Sequence, residues 1–513
     1  MRKGYTMVEY IFRNNSNIGN LEAETDLFLQ DCFIETEAYR ILSSFGDTNG
    51  DNLKRIVVGR TGSGKTALLE YIRANSVISD QAELAAETTI FDYIKNNKFI
   101  NNLMQNNVDL KIFFKALWNH VILVKVISLL KENKDFFAKL RNKYRELEKY
   151  IDKYEAVFFT DEALNTITEI FQNDMEEKLD FKVLSVAGGV NAERKIEIQG
   201  QTNAYVNQEL LSKQRKIIEY LKNDFKWDKQ KKIFISVDDL DKSWITDFKI
   251  KYGFINSLMD SIREFLSLQN LKIIISIRTD ILEGVYQNNF RQEEKDLSLL
   301  LPLEWSKEEI RNLLDKRITH LLKDKYQKLI SPKLEDVFNF TINGEKADEF
   351  ILNRTMLRPR DAIDFVNKCF SAANGKTVIQ THELTMAEEY YFDSRKKALK
   401  DEWKAVYPEV DTYVDILLKF VKKQTFNFDV LYKLKNNIKE ELIATNNTDD
   451  VIVQKAVEDK DVIHDLLEIW FKIGVVGIKK EKSIILYSNF SKRHLNVADY
   501  DKDFYIHPLF WRK

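Results

Sequence analysis

Cysteine is nearly absent from this chain: Cys32 and Cys369 are the only two in 513 residues, far apart in sequence. That excludes a disulfide framework, and no Cys/His cluster has metal-ligand spacing. Both cysteines lie among apolar residues, which predicts small core side chains rather than working thiols. Proline is equally scarce, at five residues. An excess of one charge sign is missing too: Lys+Arg 78 against Asp+Glu 80 leaves −2. The overall charge therefore does not advertise nucleic-acid binding, although local basic faces stay open. No secretory leader is expected, because Arg2 and Lys3 are followed by Gly, Tyr, Thr, Met, Val and Glu. The most apolar stretch, Ile112 to Leu130, is broken by Lys115, His120 and Lys125. It predicts a buried amphipathic helix and no membrane partner. A hydrophobic content of 44% with 31% charged residues then predicts a soluble, reduced, cytoplasmic chain of two to four domains.

What is present centres on Arg55 to Leu69. The β-branched run Ile56, Val57, Val58 stops at Gly59, and Gly-x-x-x-x-Gly-Lys-Thr follows, with Gly59, Gly64, Lys65 and Thr66 in its fixed places. Ala67, Leu68, Leu69, Tyr71 and Ile72 then turn helical. Strand, glycine-rich turn and helix start are the context of a phosphate-binding loop. Glycines let the backbone N–H groups of Thr61, Gly62, Ser63, Gly64 and Ala67 surround phosphate at a helix N-terminus. Lys65 would reach the β- and γ-phosphates of ATP, and the Thr66 hydroxyl would hold Mg²⁺.

A second signal starts at Lys232, about 170 residues beyond the loop, where one βαβ unit needs only ~30. The strand Ile233 to Val237 ends in Asp238, Asp239 and, two positions on, Asp241. Carboxylates at the C-terminal edge of a parallel sheet stand where ligands bind. Asp238 is placed for Mg²⁺, and Asp239 to orient or deprotonate the attacking water. The strand Leu271 to Ile277 ends in Arg278, which can sense the γ-phosphate or pair with Asp280 or Glu283. Further on, Leu-Arg-Pro-Arg-Asp at 357–361 opens a helix with Pro359 at its first position and Asp361 in its first turn. Arg358 and Arg360 at a helix start are repelled by its dipole, which calls for an anion nearby. They read as a lid contact to phosphate or as surface charge.

The segments between these signals are mostly helical. Glu35 to Phe45 reads as a helix, and the segment Phe33 to Tyr39 either covers the nucleotide base or packs on the sheet edge. Thr88 to Tyr93 reads as the second strand. A helical insertion follows, with the charged stretch Lys131 to Tyr154 as a solvated face. Lys182 to Val186 and Arg194 to Gln199 alternate around Gly188-Gly189 like a hairpin. Leu303 to Leu322 is a helix. From about Thr381 come three helical patterns (Tyr413–Phe420, Phe428–Ile438, Val462–Phe471) and a hairpin around Lys479, Lys480 and Lys482, the order of a winged helix. Asp465 and Glu468 on the third helix oppose DNA binding, while the three lysines favour it. The apolar tail Phe504 to Trp511 is expected to dock onto the body or a partner. Arg291 and Arg317 are both conceivable as arginines acting in trans.

In this order, the Gly-x-Thr-Gly-Ser-Gly-Lys-Thr loop, Val-Asp-Asp-Leu-Asp, Ile-Arg-Thr-Asp and Leu-Arg-Pro-Arg-Asp resemble the bacterial KAP/STAND-type branch of AAA+-related P-loop ATPases. The resemblance runs over about residues 18–370. It implies an α/β fold: a parallel-sheet P-loop NTPase core of AAA+/ASCE type with a large helical insertion, a helical lid and a C-terminal winged-helix-like domain. The corresponding bounds are 1–52 for a segment covering the base, 53–300 for the core with its insertion at about 95–230, 301–380 for the lid and 381–513 for the last domain. It implies ATP and Mg²⁺ as cofactors, Lys65 and Thr66 as their ligands, Asp238 and Asp239 as the paired acids, and Arg278 as sensor. ATPases of this kind are often switches in signalling and in bacterial defence, so self-association or a separate effector protein is the expected partnership, with DNA as the alternative. Membrane helices, sensor repeats and a fused effector, common in that branch, are not evident here.

Overall fold

The computed structural model describes residues 10–45, 50–75, 78, 80–85, 97–105, 108–130, 136–154, 169, 172–174, 177, 192–225, 231–238, 240, 248–289, 291–326, 331–404, 406–480 and 484–511. Short runs of β-branched and aliphatic residues make its main sheet. The strands are β1 (Ile56–Gly59), β2 (Asp80–Ala85), β3 (Ile233–Asp238), β4 (Leu271–Arg278) and β5 (Leu300–Pro302). β1 and β3 are buried along their whole length, and β4 along all but its last residue. Strands apolar on both faces are what a parallel sheet covered by helices requires. The sheet is all-parallel, in the order β2-β3-β4-β1-β5. The chain is thus α/β and compatible with a P-loop core.

The strand order sets a switch point. After β1 the chain crosses to β2 at one edge, and after β4 it crosses to β5 at the other. The two crossovers leave adjacent strands in opposite directions, and in open α/β sheets ligands bind at the C-terminal ends of such strands, here β1 and β4.

The residues cluster into two compact units, each discontinuous in sequence. One holds 35–59 and 68–301, and the other holds 1–34, 60–67 and 302–513. In the sheet-bearing unit, the apolar Lys111–Leu129 helix packs on the Phe248–Phe265 helix. The Trp118 indole N–H donates to Phe254 O at 3.1 Å, and the hydroxyls of Ser257 and Ser261 donate to Lys111 O and Lys115 O. Among the described residues this is the one helix long and apolar enough to cross a membrane, and it forms core here.

Two expectations need correction. The second strand is Asp80–Ala85, paired along its length with β3; Thr88–Tyr93 lies outside the described residues. Its acidic, alanine-containing sequence has little intrinsic strand preference, so neighbours on the sheet decide. Second, Arg194–Gln199 belongs to the Ala192–Tyr205 helix, which a π-helical turn over Val206–Leu211 joins to the Ser212–Asn223 helix. The alternation of Ile196 and Ile198 suggested a strand, but Ala, Glu, Arg, Lys and Gln around them are strong helix formers. The partner strand expected at Lys182–Val186 lies outside the described residues.

The second unit is built on helices Lys307–Tyr326, Pro359–Ala372 and Thr381–Trp403. Its C-terminal part holds helices Val410–Phe420, Phe428–Lys433, Lys435–Ile443, Val451–Val457 and Ile463–Lys472. After the small hairpin β6 (Thr341–Ile342) and β7 (Glu345–Lys346), a four-stranded sheet comprises β8 (Thr425–Phe426), β9 (Val476–Lys479), β10 (Ile485–Leu486) and β11 (Phe504–Ile506). Its order is β10-β9-β11-β8. The expected hairpin is β9–β10. The apolar tail docks on the body: β11 inserts between β9 and β8, and Phe504, Ile506, Leu509 and Phe510 are buried. The N-terminal stretch also packs into this unit, where Arg317 donates to Asp26 at 2.6 Å and to Ile18 O.

Candidate functional site: the phosphate loop and its surroundings

Within the sheet unit, the register sets Gly59, the last residue of β1, opposite Arg278, the last of β4. Both stand at the switch-point edge. Asp238 ends β3 opposite Ala85 and is 8% exposed. The Arg278 fork closes on Asp280, at 2.9 Å from Nε and 2.8 Å from Nη2. Asp239 and Asp241 lie outside the described residues. The Thr36 hydroxyl caps the Glu37–Ser43 helix, whose Tyr39 meets the Tyr71 ring edge-on at 5.3 Å between centroids.

Residues 60–67 fall in the other unit, and there the turn is held from several sides. The helix beginning at Lys65 runs 11 residues, and Lys65 Nζ donates to Arg60 O at 3.3 Å. Gly62 and Gly64 adopt φ of +81° and +90°, a region closed to most side chains. A Cβ on Gly62 would also lie 2.9 Å from the Arg360 Cβ. The Trp305 indole N–H donates to Ser63 O at 2.8 Å, and the Arg360 backbone N–H to Gly62 O at 3.2 Å. Arg358 Nη1 donates to Thr61 O at 3.2 Å. The Pro359–Ala372 helix thus begins directly on the turn, with Pro359 at its first position as the sequence predicts.

Where the sequence suggested phosphate or surface charge beside Arg358, the structure places the carboxylate of Glu402, 3% exposed, near the end of the Thr381–Trp403 helix. Its carboxylate accepts from Arg358 at 3.4 Å, from the Thr61 backbone N–H at 3.2 Å, and from Arg60 through Nε at 3.4 Å and Nη2 at 3.1 Å. Burial, and then Arg358, push the Arg60 guanidinium below its ordinary value, while Glu402 opposes that shift. Asp361 pairs with Arg395 at 2.5 Å. Arg360 sends Nε to Leu21 O.

The turn fits a phosphate group. Its glycine geometry is that of a backbone cradle, a helix starts at its lysine, and Thr61 Oγ1 and Ser63 Oγ are buried with no hydrogen-bond partner among the described residues.

Sequence reasoning located the loop, the sheet-edge residues and the Arg-Pro-Arg helix start. It missed Trp305 and Glu402 as neighbours of the loop. Neither belongs to a motif, and Glu402 sits 341 positions from Thr61. Both arginines considered for a role in trans are engaged within the chain. Arg291 is tied to Asp296, Asp260 and Asn256, and Arg317 is 3% exposed on Asp26.

Residues 308–400 match the family model described as a FunZ-associated C-terminal helical domain. The match begins in the Lys307–Tyr326 helix and ends two residues before Glu402. No curated protein matches the chain.

Proposed function

We propose that the protein binds ATP with Mg²⁺ and hydrolyses it slowly as a molecular switch controlling an effector or an assembly, in a bacterial defence or signalling setting. The supporting observation is the glycine turn at 59–66, which follows β1 at the switch point of a parallel sheet ordered β2-β3-β4-β1-β5. In this reading the core is of AAA+/ASCE type, the helices after Pro302 are its lid, and the last domain is winged-helix-like. Backbone N–H groups of residues 62–67 and Lys65 bind the phosphates, and the Thr61 N–H, which Glu402 accepts in this structure, joins them only when Glu402 releases it. Thr66 and Asp238 hold Mg²⁺, which would neutralise phosphate charge when bound. Asp239 orients the attacking water, and Arg278 stabilises charge on the γ-phosphate once Asp280 shares it. Arg358 and Arg360 bring the lid helix to the nucleotide.

Two variants test the reading. Lys65→Ala is expected to abolish binding of a fluorescent ATP analogue. Asp239→Ala is expected to retain binding and lose at least about 100-fold in turnover. Normal turnover in purified Asp239→Ala would remove Asp239 from the mechanism.

A second reading, a DNA-binding loader or initiator ATPase, draws on Lys479 and exposed Lys480 at the β9–β10 hairpin. Salt-dependent duplex binding that weakens on Lys479→Glu and Lys480→Glu would favour it. No binding at low salt would exclude it.

A further inference from the structure

Arg60, the second residue of the phosphate loop, is committed to the C-terminal part of its unit. Its guanidinium forks onto Glu402 and lies 5.9 Å from the Trp403 ring centre. Gly474, in the turn before β9, approaches it so closely that a Cβ there would sit 2.8 Å from Arg60 Nη1. The same Glu402 carboxylate also accepts the Thr61 amide and the lid residue Arg358. One buried carboxylate therefore joins three things: the loop backbone, the start of the lid helix, and the helix that leads into the C-terminal domain.

The cluster is also under-satisfied. Among the described residues, Thr61 Oγ1, Ser63 Oγ, Arg358 Nε, Asp361 Oδ2, Arg395 Nε and Trp403 Nε1 are buried without hydrogen-bond partners, although Arg358 Nε and Asp361 Oδ2 form an ion pair at 3.9 Å. A buried polar atom without a hydrogen bond costs desolvation free energy, so this arrangement is held at some cost.

We propose that Glu402 is a positioning residue for the phosphate loop: through Arg60 and the Thr61 amide it makes the loop's geometry depend on the docking of the C-terminal domain, and so sets how tightly nucleotide is held. The affinity part rests on the ATP-binding reading above; the loop-geometry part does not. A carboxylate is required because it can face two guanidinium groups and an amide together. An amide side chain of the same shape would turn one of its two acceptors into a donor facing the arginines.

The test uses the full chain and two readouts. Hydrogen exchange is followed on a peptide covering residues 58–66, with a β4 peptide (271–278) as control. Glu402→Gln is expected to speed exchange of the loop peptide about tenfold and leave β4 unchanged. Arg60→Gln should do the same, and Glu402→Asp should restore part of the protection. In the nucleotide arm, release of a fluorescent ATP analogue should quicken about tenfold in Glu402→Gln, with KM rising more than kcat falls. Loop exchange within twofold of wild type in both Glu402→Gln and Arg60→Gln overturns the proposal. Equal acceleration in loop and β4 also overturns it, since Glu402 would then only stabilise the fold. If wild-type protein binds no nucleotide, the ATP reading fails, and the exchange measurement still decides the positioning role.

Discussion

Gly62 shows how much one residue can be asked to do. Its φ of +81° excludes most side chains, and the Arg360 stem occupies the space a Cβ would need. Gly62→Ala is expected to cost about 1–2 kcal/mol of local stability and to weaken ATP-analogue binding more than it lowers the melting temperature. Lys272 is a different case. It lies on β4, 2% exposed, with Nζ donating to Ile41 O at 2.8 Å and Ser44 O at 2.6 Å at the end of the Glu37–Ser43 helix. Burial, helped by Arg55, lowers its pKa to about 7. The unfolded chain then binds a proton that the folded one has released, from about pH 7 up to the ordinary lysine range. This group's contribution to stability therefore rises with pH across that window. Lys272→Met is expected to flatten the slope, as denaturant titrations at pH 7 and pH 9.5 would show.

At the scale of elements, the C-terminal tail carries more than its position in the chain suggests. β11 is an interior strand, and His507 behind it donates its backbone N–H to Val475 O. The His507 ring is buried, and burial with the nearby arginines holds its pKa down at about 3. The unfolded chain takes up this proton near pH 6.5, so the stability tied to a neutral His507 is complete above that pH and is lost as pH falls toward 3. A His507→Gln variant should lose less stability than wild type between pH 7 and pH 4.5. Equal losses would show that carboxylates elsewhere dominate. The same scale explains the missed second strand and the spurious hairpin. β2 exists because β3 offers it a partner along six residues, whereas Arg194–Gln199 joins a helix whose formers outweigh two alternating isoleucines.

At the scale of the whole molecule, the two compact units each draw on separated stretches of chain, and the glycine turn at 60–67 is grouped with the helices after Pro302. If ATP binds the folded state, it stabilises by mass action, by about 2.7 kcal/mol at 100 times its dissociation constant. Thermal melts should therefore rise with ATP and Mg²⁺ in wild type and stay unchanged in Lys65→Ala. Turnover measured with and without duplex DNA, beside mass measurements in ADP and ATP, separates a switch from a DNA loader. DNA-independent turnover is expected for the switch.

The sequence alone determined the local elements of the candidate site: a β-branched strand, a turn rich in glycine, a helix starting at Lys65, and a proline-led helix at 359. Each is fixed by short-range sterics and hydrogen bonding among residues a few positions apart. At Arg358 it left a contact to phosphate and plain surface charge both open. Only the tertiary structure set the Glu402 carboxylate beside that guanidinium. Glu402 lies more than 40 residues from Arg358 and more than 300 from Thr61, and no spacing rule connects them. Pairing of β2, insertion of β11 between two earlier strands, and commitment of Arg60 to the C-terminal domain were settled in the same way, by long-range packing that local sequence does not encode.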